Sequence, residues 1–290
     1  MNIRIIIAVA ALCAVASQAS AKEKIYVNSD VTTHIVMPEN IKMVDLSTTK
    51  IIGNQCADNI VRVKPFMESD SLPSGYREGE LMGTLTLIGE RHLAQYEVVY
   101  TSVPSRAASI HRVPYSGMDS YINPEVSMPQ SDMARYAWAA YGSGRRYNQV
   151  VSKAHGMKAI VNNIYSVGDY FFIDYSLQNR TKIPYDIAEV RVKLTDKKEV
   201  KATNSQTVEL TPAYSLNLAR KFKKNYRNVL VLDKLTFPDE KVLRIEISEN
   251  QISGRVITLT IEYDDILNAD GFDSDILRNL PYSYTPHIYK

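Results

Sequence analysis

Cysteine is scarce in this sequence, and neither charge is in surplus. The 290 residues include 2 cysteines, Cys13 and Cys56. Cys13 falls in an N-terminal segment that we predict to be removed, so Cys56 alone would remain and no internal disulfide could form. Lys and Arg number 34 against 32 Asp and Glu. Because the positive and negative residues nearly balance, the charge gives no general reason to expect binding to nucleic acid or to a membrane surface.

The apolar run at the start of the chain indicates a signal peptide over residues 1–21. Residues 5–16 are apolar, but the run is too short to span a bilayer comfortably. Ala19-Ser20-Ala21 is a cleavage site with small residues at its two key positions, and Ser17-Gln18-Ala19 is a second possible site. We therefore expect a mature chain that begins at Lys22 and is exported to the periplasm. An uncleaved membrane anchor is the alternative.

The sequence also lacks the spacings that metal and phosphate sites require. Its 5 histidines show no metal-ligand spacing, and there is no cysteine cluster. Residues 142–146 are rich in glycine, but they lack the Lys-Ser/Thr ending of a phosphate-binding loop and do not follow a strand. No nucleophile elbow is present. The histidines are His34, His92, His111, His155 and His287.

Three aspartates near the end of the chain, Asp270, Asp273 and Asp275, surround Gly271. A calcium loop would need more ligands in a tighter register and a late bidentate Glu, so we interpret them as a solvated acidic turn. With no catalytic constellation in view, we expect a protein that is not an enzyme. We assign no catalytic, cofactor-binding or metal-binding residue and no cofactor.

Alternating apolar and polar residues dominate the stretch 169–195, which predicts two strands joined by a turn at 179–184. Phe171, Ile173, Tyr175 and Leu177 alternate with polar residues, and Ala188, Val190, Val192 and Leu194 form the apolar face of the second strand. Such alternation is typical of an antiparallel sheet with one solvated side. The residues expected on the wet faces are Asp174, Ser176 and Gln178, then Glu189, Arg191, Lys193 and Thr195.

Short strands with turn signals between them predict an N-terminal β domain over residues 22–101, with a sandwich or barrel-like sheet. Residues 83–88 and 93–100 should form a hairpin across Gly89-Glu90-Arg91. We place a turn at Gly53-Asn54. In the strand 41–46 we place Ile41 and Met43 on one face, which Asp45 could share, with Val44 and Leu46 on the other. The other predicted strands cover 24–27, 34–37, 41–46, 51–52 and 59–64.

Prolines and serines then indicate a linker over residues 102–156, interrupted by a helix at 129–141. Ser127-Met128-Pro129-Gln130 fits a capping box with proline in the first turn. Gly142 and Gly144 should weaken or end this helix, although residues 145–147 could continue it after a break.

A second β domain is predicted over residues 157–264. Seven candidate strands in about a hundred residues are typical of an immunoglobulin-like β-sandwich, here without its Cys…Trp…Cys signature. The segment 265–290 is a tail that is rich in Tyr and Pro. Its last part, 281–289, is either an anchor for a partner or a terminus without a role. The candidate strands are 158–165, 170–178, 187–195, 207–210, 229–232, 242–247 and 256–263.

The basic run Arg220-Lys221-Phe222-Lys223-Lys224-Asn225-Tyr226-Arg227 has three interpretations. Basic residues interleaved with aromatics can grip single-stranded nucleic acid. The run can also be a solvated loop between two strands, which we favour because the whole chain is almost neutral. It could also dock an acidic partner.

Segments spread over most of the mature chain resemble one family, the TraN proteins of conjugative transposons. In the first half these are Thr32–Asp45, with a hydrophobic pair, a proline and an I-x-x-V-D pattern, and Asn59–Pro65. In the second half the similarity is stronger. It covers 164–165, 169–179, 183–187, 190–192, 196–198, Gln206, Pro212 and Ser253-Gly254-Arg255.

The resemblance implies a periplasmic structural subunit of a mating channel, part of a type IV secretion apparatus. The N-terminal half is also similar, more distantly, to the β domain of the type IV secretion subunit that forms the outer-membrane core ring with a small lipoprotein. In that subunit the C-terminal sandwich binds the lipoprotein. The implied partners are other conjugation proteins, an outer-membrane lipoprotein and further copies of this chain. The implied association with the outer membrane is peripheral, and no specific nucleic acid is expected.

Two other functions stay open at this point. A periplasmic binding or adhesin-like module would use the same kind of sandwich to recognise a peptide or glycan by an edge or a loop surface. A periplasmic hydrolase is the third, although no nucleophile–base pair can be named for it.

Overall fold

A computed structural model describes residues 23–67, 75–147, 149–197, 207–252 and 254–272. The chain divides into two compact units between Pro124 and Glu125. The predicted mainly β fold, with a helix in sequence between the two β regions, is confirmed. The predicted signal peptide and the segment 281–289 lie outside the described residues. None of the described helices is long and apolar enough to cross a membrane.

The first unit consists of two sheets that share one apolar core. One sheet has the strand order β1-β7-β6-β3 with β9 beside β7, and the other has the order β4-β5-β2-β8. Buried side chains such as Ile35, Val61, Leu85 and Tyr96 fill the core between them. The strands are β1 (Glu23–Val27), β2 (Thr33–Val36), β3 (Ile41–Leu46), β4 (Ile51–Ala57), β5 (Ile60–Pro65), β6 (Leu81–Gly89), β7 (His92–Tyr100), β8 (Ile110–Arg112) and β9 (Asp119–Ser120).

The predicted hairpin across residues 89–91 is confirmed, because β6 and β7 pair antiparallel. The predicted turn at Gly53-Asn54 is wrong. β4 runs through both residues, and Gly53 pairs with Val63. A Cβ on Gly53 would lie 2.5 Å from the Arg62 carbonyl oxygen, so this glycine permits a close strand approach rather than a turn.

The face assignment within β3 is confirmed for Met43 and Asp45 against Val44 and Leu46, but it is wrong for Ile41, which is buried. A register shift between Ile41 and Met43 turns the strand, so Val44 and Leu46 pack against the core while Met43 is exposed. An extra residue in one strand moves the side chains that follow it to the opposite face. Simple alternation cannot reveal such a bulge.

The structure differs from the predicted linker at both of its ends. Residues 102–124 belong to the first unit, where β8 pairs parallel with β2 and β9 pairs with β7. At the other end, residues 151–154 form a strand of the second unit. These strands are too short to show an alternating pattern, and their pairing depends on residues far away in sequence.

The second unit is a sandwich of two sheets with an apolar core between them, and a second apolar cluster lies under its helix. One sheet has the order β10-β11-β12-β17-β15 with β20 beside β11, and the other has the order β14-β13-β18-β19 with β16 beside β13. Its elements are α1 (Gln130–Gly142), β10 (Val151–Ala154), β11 (Met157–Val167), β12 (Tyr170–Asn179), β13 (Tyr185–Asp196), β14 (Val208–Leu210), β15 (Tyr214–Ser215), β16 (Lys221–Phe222), β17 (Asn225–Asp233), β18 (Lys241–Glu249), β19 (Val256–Ile261), α2 (Tyr263–Leu267) and β20 (Asp270–Gly271).

The strands of the stretch 169–195 lie in different sheets of this sandwich. β12 pairs with β11 and β17, whereas β13 pairs with β18, so the connection between them crosses from one sheet to the other. The predicted core face of β12 is confirmed, since Phe171, Ile173, Tyr175 and Leu177 are buried. On β13 the prediction is confirmed for Val192, which is buried, and for Val190 and Leu194, which pack against the core, but it is wrong for Ala188, which is exposed beside a register shift.

The predicted solvated face of β13 is wrong at Thr195, which is buried, and that of β12 is wrong in its middle, where Asp174 is completely buried. Helix α1 covers that face and packs Met133, Ala137 and Ala140 against Phe172 of β12. Alternation shows that a strand has two different faces, but it does not show whether another element covers the polar one.

Helix α1 begins one residue later than predicted and ends at Gly142. The predicted capping box is wrong, since Pro129 occupies the N-cap position and no side chain caps the helix. The Ser127 hydroxyl instead lies 2.9 Å from the Tyr170 hydroxyl. The helix does not continue through residues 145–147. The final predicted strand ends at Ile261, and Tyr263 begins α2, which has its own capping box between Glu262 and Asp265.

Candidate interaction surface

The four described histidines lie on separate strands and turns. His34, His92 and His111 lie on three different strands of the first unit, His155 lies in a turn of the second, and His287 is outside the described residues. Among the described residues, no three His, Cys, Asp or Glu side chains are placed to hold a metal ion. Cys56 is exposed on the edge strand β4.

His92 and His111 each contact a neighbouring side chain of the first unit. Nδ1 of His92 lies 3.0 Å from Glu39 Oε2, and Glu39 Oε1 accepts the backbone N–H groups of Arg91 and His92 at the tip of the β6–β7 hairpin. The His111 ring packs edge-on against Tyr96 at 5.0 Å. Burial lowers the pKa of His111 and raises the pKa of Tyr96 to about 12.

Of the three aspartates near the end of the chain, only Asp270 lies in the described part. It belongs to β20 and pairs with Tyr165 of β11. Asp273 and Asp275 lie outside the described residues, so the predicted solvated turn stays a prediction.

The buried Asp174 is the centre of a polar network that holds the end of α1 to the sheet. Arg227 donates from Nε to Asp174 Oδ1 at 2.8 Å and from Nη2 to Oδ2 at 2.5 Å. Asn162 and Asn163 donate to the same carboxylate at 3.0 and 3.1 Å. Arg227 Nη2 also donates to the Ser143 carbonyl at 3.3 Å. A cation beside the last carbonyls of a helix compensates for groups that have no partner within the helix.

The basic run is divided between the core and the surface. Arg227 is used in the Asp174 network, and the two aromatic residues, Phe222 and Tyr226, are buried. The ring of Phe222 packs against Tyr185 at 5.5 Å and against Tyr226 at 5.4 Å. The side chains of the run that remain exposed are therefore charged or polar, and they include Arg220, Lys221, Lys223 and Lys224.

Other loops meet the basic run at the same end of the second unit. The Asn179 N–H donates to the Lys224 carbonyl at 2.7 Å, and the Arg180 N–H donates to the Gly156 carbonyl at 3.0 Å. His155 and Gly156 both have positive φ, 50° and 72°. Two such residues form the tight turn that joins β10 to β11.

Arg255 ties this end together through its guanidinium group. It donates from Nε to Glu249 Oε2 at 2.8 Å, from Nη1 to Thr181 Oγ1 at 3.2 Å and from Nη2 to the Pro184 carbonyl at 3.2 Å. The same group lies 5.0 Å from the centre of the Tyr185 ring. The hydrogen bonds from Arg255 lower the pKa of Glu249.

The Tyr185 side chain supports Arg255 from inside the sandwich. Its hydroxyl lies 2.9 Å from the Ile247 carbonyl and 2.8 Å from the Arg255 carbonyl. Burial is the main cause that raises the pKa of Tyr185 to about 12, so the hydroxyl remains a donor at neutral pH.

A groove of about 500 Å³ opens beside Arg255 and continues along the beginning of β13. Its first part is lined by His155, Ile183, Lys221 and Arg255, among others. A second concavity of about 330 Å³ shares Lys221 with the first. A third of about 250 Å³ shares Arg220 with the second and lies between residues 187–190 and 217–220. We call the three together the β13 groove.

The outer edge of β13 is only partly paired along this groove. β16 pairs with Tyr185 and Asp186, and β14 pairs with Val192 to Leu194. Within the described part of the chain, no strand pairs with the intervening residues 188–191 on that side. A register shift beside Ala188 interrupts the pairing with β18 at the same place. Unpaired strand edges are surfaces on which another chain can add a strand.

The part of the chain from α1 to β20 matches the model of a known protein family. Residues 130–271 match DUF4138, a domain of unknown function. The DUF4138 region begins with the first residue of α1 and ends with the last residue of β20, so it coincides with the described body of the second unit. The β13 groove lies within it. No curated protein matches this chain.

Chemical reasoning from the sequence did not identify Tyr185, Glu249 or Arg255 as a cluster. These residues are far apart in sequence and match no motif. The one signal was the resemblance, which included residues 183–187 and Ser253-Gly254-Arg255. The Asp174 network carried no such signal, because in the sequence a buried aspartate of an alternating strand cannot be distinguished from a solvated one.

Proposed function

We propose that this protein is a structural component of a conjugative transfer, or type IV secretion, apparatus in the bacterial envelope. It acts in the periplasm on the outer-membrane side, after export by its signal peptide. Its partners are other proteins of the apparatus, including an outer-membrane lipoprotein and further copies of this chain. The role assigned is assembly of the mating channel, without catalysis or a cofactor.

One structural observation carries this proposal. Residues behind the resemblance to TraN proteins, although remote in sequence, meet in one contact network at one end of the second unit. Arg255 contacts Tyr185 and the Pro184 carbonyl, and Asn179 Nδ2 donates to the Ile183 carbonyl at 2.7 Å. Segments that serve one surface are expected to be brought together in this way. The signal-peptide pattern supports the compartment independently.

A second candidate function is a periplasmic β-sandwich module that binds a peptide or glycan. The partly open edge of β13 favours it, because a free edge beside a groove is a common peptide-binding feature. Both functions would use the same surface, so the fold does not distinguish them. The effect of deleting the gene on DNA transfer does.

The test is DNA transfer between cells after deletion of the gene, with the wild-type gene restored as the control. We expect transfer to be lost on deletion and recovered on complementation. Affinity purification of a C-terminally tagged protein should then recover other envelope proteins of the apparatus. N-terminal sequencing of the same sample should begin near Lys22.

Unchanged transfer after deletion would overturn the assembly function and leave the binding module as the better proposal. A protein that keeps Met1 and stays in the cytoplasm would contradict both.

A further inference from the structure

We propose that the β13 groove binds an extended, acidic segment of a partner protein, which adds to the open edge of β13. This inference deepens the proposed function and rests on it, since it specifies the chemistry of the partner segment. Three features of the second unit carry it: an unpaired cationic rim, an unpaired stretch of strand edge and the burial of the aromatics in the basic run.

The lining of the groove balances Arg220, Lys221 and Arg255 against Asp186, Glu189 and Glu249, so its surplus of positive charge comes from exposed cations in the adjoining loops. Arg180, Lys182, Arg220, Lys223 and Lys224 are exposed, and none of them forms an ion pair with a described carboxylate. We call these five the basic rim. In contrast, Arg255 and Lys221 have Glu249 and Asp186 as partners, at 2.5 and 3.1 Å. An excess of one charge at the mouth of a groove favours a ligand of the opposite charge.

The strand edge determines the form of that ligand. Residues 188–191 have no strand beside them on the groove side within the described ranges, and the groove continues along them. An extended peptide can supply the alternating N–H and C=O groups that such an edge lacks. A peptide strand also points its side chains alternately to two sides. Leu218 and Ile183, which are 73% and 67% exposed, offer apolar contacts beside the groove.

The aromatic residues exclude the main competing ligand. Single-stranded nucleic acid binds most effectively where bases can stack on exposed rings. Phe222 and Tyr226 are 8% and 7% exposed and pack against each other and the core, so the basic run presents no ring to a base. A nucleic acid strand also lacks the regular N–H and C=O pattern that would complete the edge of β13. A peptide therefore fits the surface better.

The experiment is a fluorescence-anisotropy titration of the purified full-length exported protein. The probe is a labelled peptide of about ten residues that alternates Glu with Val or Thr, long enough to follow the open edge. We expect saturable binding that weakens when salt rises from about 0.05 M to about 0.5 M, because exposed charges are screened. A peptide with Gln in place of Glu should bind at least about tenfold more weakly.

Two variants place the binding on the basic rim. Arg220→Glu, Lys223→Glu and Lys224→Glu in one chain should weaken binding at least about tenfold. The matched control is Lys234→Glu, which reverses an exposed charge at the opposite end of β17, roughly 30 Å from Lys224. It should change the affinity by less than about twofold. Circular dichroism spectra identical to wild type verify that both variants fold.

A second probe tests the strand edge without altering the protein. Methylation of alternate backbone nitrogens of the peptide removes the donors that strand addition needs, and it should abolish most of the binding. Binding that survives methylation would contradict strand addition. Equal binding by the triple variant and Lys234→Glu would contradict the basic rim as the site.

Three further results would overturn the proposal that the β13 groove binds an acidic peptide. Absence of saturable peptide binding up to about 1 mM overturns the inference. So does tighter binding of an oligothymidylate, or of vesicles with anionic lipids, than of the acidic peptide. In cells, transfer that is lost on gene deletion but normal with the triple variant would reject this partner chemistry while leaving the assembly function intact.

Discussion

The buried pair between Asp174 and Arg227 should control the stability of the second unit. Asp174 is completely buried, and its two oxygens accept bonds from Arg227, Asn162 and Asn163. The Asp174→Ala substitution leaves a cation with 27% of its side chain exposed and the Asn162 amide without this acceptor, while Asn163 keeps its bonds to Ser143 and Gly144. Removing one partner of a buried pair costs about 3–5 kcal/mol. Because Arg227 keeps its bond to the Ser143 carbonyl, we expect the lower end, about 3 kcal/mol.

The single tryptophan makes this loss measurable. Trp138 lies in α1, the helix that the network holds to the sheet, so its fluorescence during urea unfolding reports on the second unit. The matched control is Glu189→Ala, which breaks an exposed pair with Arg191 (2.7 Å) and should cost under about 1 kcal/mol. The double variant Asp174→Ala with Arg227→Ala should lose about 2 kcal/mol less than the sum of its single variants.

Two results would refute this reasoning. If Asp174→Ala costs no more than Glu189→Ala, the buried network does not anchor the helix. If the two losses at Asp174 and Arg227 simply add, the residues do not act as a pair.

Three further predictions concern the sandwich core and the Arg255 cluster. Ile173→Ala and Val192→Ala should each cost about 2–4 kcal/mol in urea unfolding. Arg191→Ala on the exposed face breaks only exposed ion pairs and should cost under about 1 kcal/mol, so similar losses at all three sites would contradict the register. Tyr185→Phe should cost about 1–2 kcal/mol, because the carbonyls of Ile247 and Arg255 lose their shared donor; an unchanged unfolding midpoint would show that water replaces it. Arg255 holds the pKa of Glu249 below its usual 4.5, so the stability from this pair is present above that pH and is lost as pH falls through the folded pKa. Urea unfolding of wild type should therefore weaken more below about pH 4.5 than that of Glu249→Gln, and parallel pH profiles would exclude this role for Glu249.

Strand positions were predictable because alternation is a local property. The predicted strand 41–46 matches β3, and 170–178 falls within β12. The predicted strands 242–247 and 256–263 match β18 and most of β19, and Ile245 and Leu259 within them are buried. In each case the apolar residues recur every second position, which requires no knowledge of the partner strand.

Pairing and coverage were not predictable in the same way. β12 and β13 follow each other in sequence, but a turn between two strands does not reveal whether they share a sheet or face each other across a core. Gly53 has the composition of a turn residue, yet it lies inside β4 because a neighbouring carbonyl oxygen comes too close for any side chain.

Sequence alone determined that the chain is mainly β, where most of its strands lie and which side chains enter the cores, because these properties follow from the periodicity of apolar residues. Tertiary structure decided the rest. In the folded protein a helix covers Asp174, and Phe222 and Tyr226 are buried while the lysines between and beside them stay exposed. The fold also brings Tyr185, Glu249 and Arg255 together beside one groove. The physical reason is that burial and charge pairing depend on residues that are distant along the chain, and a local pattern contains no information about those partners.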